Sequence, residues 1–177
     1  AYTRMLMAAV PTLHLKQRAN DPAAPVVLKV QGLEKTYLAK GWIGAARSVR
    51  AAQDVNFEIK RGQTLGIVGE SGSGKSTVAR CIVRLIDPSG GSVLLGGHRP
   101  GEVAEDIAML SAARLRPLRQ RVQIVFQDPY RSLNPRRTVA EAMVEGPMNY
   151  GLGRAQALQR ARDLLALVRL DGRAMAR

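Results

Sequence analysis

Nine consecutive residues constrain this chain more than any others. Gly69-Glu70-Ser71-Gly72-Ser73-Gly74-Lys75-Ser76-Thr77 contains the pattern G-x-x-x-x-G-K-S, set between a short apolar run, Thr64–Val68, and a segment of helical character, Lys75–Leu85. Glycines at 72 and 74 open backbone conformations that a Cβ forbids, so that successive N–H groups can turn inward onto an anion. A helix starting near Lys75 adds the positive end of its dipole to that site. Lys75 brings a mobile positive charge suited to β- and γ-phosphates, Ser76 a hydroxyl for Mg²⁺, and Thr77 a hydroxyl for an α-phosphate oxygen. With a strand before it and a helix after it, the run is poorly explained as a chance glycine-rich turn. It specifies a nucleoside triphosphate with magnesium, and does not by itself choose among kinases, GTPases, helicases and transport ATPases.

The flanking pattern predicts an α/β domain beginning at Val26. Val26, Leu28 and Val30 alternate as in a half-buried strand, and Val55, Phe57 and Ile59 do so again. Lys60-Arg61-Gly62-Gln63 reads as a tight turn. Thr64–Val68 reads as a buried strand, and Val122–Phe126 as a second apolar strand. Val78, Ile82 and Leu85 are spaced for one helix face, with Cys81 among the core residues. Asp87-Pro88-Ser89-Gly90-Gly91 stops that helix before a short strand, Ser92–Leu95. Thr138 with Glu141 three residues on forms a capping box. Ala157, Leu158, Ala161, Leu164, Leu165 and Val168 repeat at helical spacing, which predicts an amphipathic helix over Arg154–Val168. Residues 1–25 read differently: a short apolar helix candidate at Thr3–Val10, then Pro11, then a polar, proline-punctuated stretch. They are expected to be a tail plus linker.

Composition narrows the class. The 177 residues contain one cysteine, which excludes an internally disulfide-stapled scaffold. No apolar run approaches the roughly 18–20 residues of a membrane-spanning helix. The chain carries 27 Lys and Arg against 14 Asp and Glu, a formal net charge of +13, and residues 109–177 hold much of that excess. Such a balance raises nucleic-acid binding. However, Arg114, Arg116, Arg119 and Arg121 lack the interleaved aromatics that stack on bases. They read instead as a solvated face or a surface for an acidic partner.

The residues that choose among the phosphate-binding families are Val122-Gln123-Ile124-Val125-Phe126-Gln127-Asp128-Pro129-Tyr130-Arg131-Ser132-Leu133-Asn134-Pro135-Arg136. An apolar run delivers Gln127 into a proline-rich turn. Together with Val68–Thr77, this resembles the nucleotide-binding domains of ABC transporters, and more narrowly the ATPase subunits of bacterial oligopeptide, dipeptide, nickel and glutathione importers. The resemblance extends over about Val26–Arg177. It implies a P-loop NTPase fold with a RecA-like core and an antiparallel β subdomain, binding ATP and Mg²⁺.

Carried over residue by residue, the resemblance assigns Gly69, Glu70, Ser71, Gly72, Ser73, Gly74, Lys75, Ser76 and Thr77 to the nucleotide's phosphates. It gives Lys75 and Gln127 the catalytic roles, and Ser76 and Gln127 the contacts to the metal. Gln127 falls at the Q-loop position, where an amide offers both donor and acceptor without added charge. Tyr37, in Leu33-Glu34-Lys35-Thr36-Tyr37, matches the aromatic that stacks on adenine; Lys40–Arg50 then reads as a loop, and Trp42 as a packing residue. Asp128 does not qualify as the aspartate of a Walker B strand, because Gln127 interrupts the apolar run and no glutamate follows. Leu164–Asp171 fails as well, broken by Arg169 and helical in period.

The Leu-Ser-Gly-Gly-Gln signature, the Walker B strand with its glutamate and the switch histidine do not occur among the 177 residues. Neither His14 nor His98 stands at the switch position. Residues 26–177 are therefore expected to be the N-terminal portion of such a domain, with little ATPase activity alone. Ala1-Tyr2-Thr3-Arg4 through Pro11 resembles the closing segment of the same importer ATPases, which makes residues 1–25 the tail of a preceding domain plus a linker. The resemblance implies a second nucleotide-binding domain as partner, in a dimer or in tandem, with transmembrane permease subunits and, indirectly, a solute-binding protein. It places the protein peripherally on the cytoplasmic face of the inner membrane. Two other readings stay open: a stand-alone P-loop small-molecule kinase, which leaves Gln127–Arg136 unexplained, and a non-transport ABC ATPase acting on nucleic acid.

Overall fold

The computed structural model describes residues 21–39, 47–96, 103–128 and 133–176. The Thr3–Val10 helix, Trp42, His14 and His98 lie outside those residues.

Two long strands, β1 (Val26–Ala39) and β2 (Arg47–Lys60), pair antiparallel along their length. The segment from 47 to 50, expected as loop, belongs to β2, with Tyr37 opposite Val49. The hairpin is irregular, and its register shifts between Val30 and Leu33 among other places. Gly32 takes a positive φ there, and its N–H donates to the Asn56 side-chain oxygen at 2.8 Å. The Asn56 amide in turn donates to the Asp54 backbone oxygen at 2.8 Å, so a side chain satisfies groups that the ladder leaves open.

The third strand, β3 (Gly90–Leu95), runs antiparallel to β1 on its other edge and carries β4 (Glu105–Asp106) beyond it. The sheet order is β2-β1-β3-β4. Gly91 allows β3 to enter the sheet: it has φ +83, and a Cβ there would overlap the carbonyl of Gly32. Asp106 fastens the far edge, accepting from the N–H groups of Val93 at 3.0 Å and Ala108 at 2.9 Å.

One face of this sheet is covered by helix α1 (Lys75–Ile82), which buries Val78, Cys81 and Ile82 against Val30, Leu33, Ala52 and Val93. Ile107, Ala108 and Leu115, the last from helix α2 (Ala112–Leu118), complete this core. Leu85 was expected on the α1 face, but the helix ends at Ile82 and Leu85 is half exposed. The cause is Arg84, whose positive φ reverses the chain. Its guanidinium ion-pairs with Asp87 and donates to the Leu110 carbonyl at 3.0 Å, holding the helix exit onto the loop before α2.

A smaller apolar cluster joins helices α3 (Val139–Asn149) and α4 (Arg154–Leu167), centred on Val144, Ala157 and Ala161. Both bonds of the predicted capping box are present: Glu141 N–H to Thr138 Oγ1 at 3.2 Å and Thr138 N–H to the Glu141 carboxylate at 2.9 Å. The buried stripe of α4 is narrower than its periodicity suggested, since Ala157, Ala161 and Leu165 are buried while Leu164 and Val168 face out.

Two strand expectations are overturned. Thr64–Val68 and Val122–Phe126 belong to no sheet. Val68 is 95% exposed and Val125 96% exposed. A buried parallel strand needs a hydrogen-bonded neighbour and an apolar layer on each face. Among the described residues no segment supplies either, so the sheet present is the antiparallel one alone.

Candidate functional site

The phosphate-binding pattern sits where Thr64–Val68 turns into α1. Gly72 and Gly74 have φ values of +82 and +91, in the left-handed region that glycine tolerates. Gly74 is the N-cap residue of α1, and no side chain caps the helix. The first-turn N–H groups therefore lack a side-chain acceptor, as an anion-binding helix start requires. The Gly74 Cα lies so close to β2 that a Cβ would overlap the carbonyl oxygen of Ala51. Lys75 folds back over the loop, its Nζ donating to the carbonyls of Gly69 at 2.8 Å and Glu70 at 2.5 Å and to Ser73 Oγ at 3.3 Å. All three of these partners are uncharged oxygens. Uncapped N–H donors beside that cation fit a triphosphate.

Gln127 borders a cleft along α1. A cleft of about 620 Å³ is lined on one side by Ser76, Ala79 and Arg80, and on the other by Ile124, Val125, Phe126, Gln127 and Asp128. The hydroxyl and the amide expected at a metal thus border one space. A second cleft of about 510 Å³ is lined by the loop residues Gly69, Ser73, Gly74 and Lys75 together with the apolar Val55, Phe57 and Val78 and the 65–68 segment. Glu70, Ser71 and Thr77 stay within the loop and the first turn of α1, Thr77 half-buried and the other two exposed.

Tyr37 is 42% exposed on β1, and lines neither cleft. Its position is nonetheless tied to the loop, because Gly74 rests on Ala51 and Val49 pairs with Tyr37. Two residues along a strand and one interstrand step separate Tyr37 from Ala51 by roughly 8–10 Å. Two residues escaped the sequence reading. Arg80 shares the cleft with Ser76 because four residues make one turn of helix, a spacing visible in the sequence. Lys35 covers the Tyr37 ring, its Nζ 5.1 Å from the centroid. The alternation of a strand hints at that neighbour and cannot supply the contact. Among the described residues no cluster of His, Cys, Asp and Glu has a metal-binding arrangement, and no helix is long and apolar enough to cross a membrane.

A family model described as ABC transporter matches residues 52–176. A Brucella ovis protein named as a peptide import ATP-binding protein is 41% identical over 145 residues, covering 81% of this chain and 42% of the relative. The Salmonella choleraesuis glutathione import ATP-binding protein GsiA is 37% identical over 182 aligned positions, covering 88% of this chain and 28% of that protein. This chain therefore spans less than half the length of these relatives. Among solved structures, the ATP-binding cassette MJ0796, in a dimeric post-hydrolysis state bound to ADP and Pi, superposes with a TM-score of 0.66 at 27% identity. That match covers 84% of this chain and 60% of the cassette.

Proposed function

Since this chain belongs to the ABC transporter family, we propose that it is the ATP-binding portion of an importer ATPase that energises uptake of peptides or similar small solutes. The observation that carries the proposal is the cleft along α1 that Ser76 and Gln127 share. The names of the relatives, for peptide and for glutathione import, support the class of solute.

In this reading the N–H groups of the uncapped first turn of α1 bind phosphate oxygens, and Lys75 exchanges its carbonyl partners for the β- and γ-phosphates. Each charge-assisted hydrogen bond so formed contributes on the order of 1.5–3 kcal/mol. Ser76 and Gln127 are the residues that would hold Mg²⁺, which when bound neutralises phosphate charge during phosphoryl transfer. Gln127 orients water at the terminal phosphate, and Tyr37 offers its ring to the adenine. Residues 26–177 form the front portion of the domain, and residues 1–25 are the tail of a preceding domain with its linker, a reading supported by the Tyr2-Thr3-Arg4 run and the proline-punctuated stretch after it. The partners are a second nucleotide-binding domain and membrane permease subunits at the cytoplasmic face of the inner membrane. No signature or Walker B glutamate occurs in these residues, so the isolated chain binds nucleotide weakly and turns it over negligibly.

Titrating the folded chain with a fluorescent ATP analogue and Mg²⁺, then competing with ATP, tests this. Lys75→Ala should weaken binding about 10- to 150-fold. Indifference of the folded wild-type chain to Mg-ATP sinks the binding site, and robust Lys75-dependent hydrolysis sinks the expectation of an inactive fragment.

A further inference from the structure

The Lys35 ammonium is anchored from two sides. It donates to the Asp87 backbone carbonyl at 2.7 Å and lies over the Tyr37 ring, 5.1 Å from its centroid. Asp87 follows α1 and ion-pairs with Arg84, the residue that turns the chain out of that helix. The same turn grips β1 through Ser89 as well: Ser89 Oγ accepts from the Thr36 N–H at 3.0 Å and donates to the Thr36 carbonyl at 3.4 Å, and the Ser89 N–H donates to the Glu34 carbonyl at 2.8 Å. A connected path therefore leads from the phosphate loop, through α1 and its exit turn, to Lys35 and Tyr37. Because one ammonium reaches both Asp87 and the ring, Tyr37 stands on the side of the sheet that carries α1.

We infer that Lys35 is the positioning residue of the adenine platform, holding Tyr37 in register with the phosphate loop and reserving one face of its ring for the base. The inference rests on the nucleotide-binding reading above. Tyr37 is 42% exposed, so it is not locked into the core by burial. A cation over one face occupies the negative lobe of the ring quadrupole. It draws π density toward itself, and the opposite face, less negative, suits an electron-rich purine. Lys35 thus selects for a stacked base while leaving the phosphates to the loop.

The test compares two probes, ATP and inorganic tripolyphosphate, both with Mg²⁺, on the full 177-residue chain. Lys35→Met keeps the aliphatic stem and removes the charge. It should weaken ATP binding about 2- to 5-fold and leave tripolyphosphate affinity as in the wild type. In a Tyr37→Leu background the same substitution should have no further effect on ATP, and Lys35→Arg should restore wild-type affinity. Equal weakening of both probes, or no change in either, overturns the assignment, because a purely structural role moves both together. An ATP affinity that responds to Tyr37→Leu but not to Lys35→Met sinks the role of Lys35 alone. An ATP affinity indifferent to Tyr37→Leu sinks the adenine platform and Lys35 with it. A wild-type chain that binds neither probe overturns the nucleotide site itself.

Discussion

The carbonyl oxygen of Ala51 fills the space that a side chain at residue 74 would need, so Gly74 seats the first turn of α1 directly on the backbone of β2. A substitution at this point faces two penalties. Gly74 has φ +91, where a Cβ costs about 1–2 kcal/mol, and the overlap with Ala51 forces the strand or the helix to move. Gly74→Ala should cost at least about 2 kcal/mol, lowering the melting temperature by roughly 4–8 °C for a chain of this length. Scanning calorimetry checks this, and an unchanged transition would mean that α1 does not rest on β2.

Leu33 and Leu38 lie on the same strand and should answer differently to truncation. Leu33 is fully buried in the main core, whereas Leu38 is 75% exposed. Leu33→Ala should destabilise by about 2–5 kcal/mol through lost burial and the cavity left behind. Leu38→Ala should stay within about 0.5 kcal/mol of the wild type. Urea denaturation followed by circular dichroism separates the two, and similar costs at both positions would contradict the placement of the core.

Thr138→Ala removes the cap of α3 and should cost about 1 kcal/mol. The partner carboxylate adds a pH signature. The Thr138 backbone N–H, followed by its hydroxyl and the nearby arginines 137 and 154, holds the Glu141 carboxyl below its ordinary value. A carboxyl lowered in the folded state stabilises above its unfolded pKa, and that contribution disappears as pH falls through the lower folded value. Acid titration of stability should therefore flatten in the Glu141→Gln variant. An identical acid limb in variant and wild type refutes the assignment.

Cys81 is fully buried, and burial pushes its thiol above the ordinary range, with the opposing pull of Lys35 and Arg84 smaller. A buried neutral thiol is a poor nucleophile. A disulfide exchange reagent at neutral pH should leave the native chain essentially unlabelled, then modify its single thiol rapidly in urea. Because the folded value is raised, this group's contribution to stability is complete below the ordinary thiol range and declines as pH climbs toward the folded value. Rapid native labelling would place Cys81 outside the core.

What the amino-acid sequence determined about this protein is local. The helix from Lys75, the Thr138–Glu141 box, the alternation of Val26–Val30 and of Val55–Ile59, and the phosphate loop were readable because backbone sterics, capping bonds and side-chain period act within a few residues. Tertiary structure alone decided three things. It placed Gln127 across the cleft from Ser76, although the two are far apart in the chain. It turned the chain at Arg84 and so exposed Leu85, since a left-handed residue is invisible to hydrophobic period. It left Val68 and Val125 outside any sheet, although both lie in apolar runs that read as strands. A period reports which side of a segment is apolar. Whether another segment arrives to bond its backbone and cover that side is settled only by the packing of the whole.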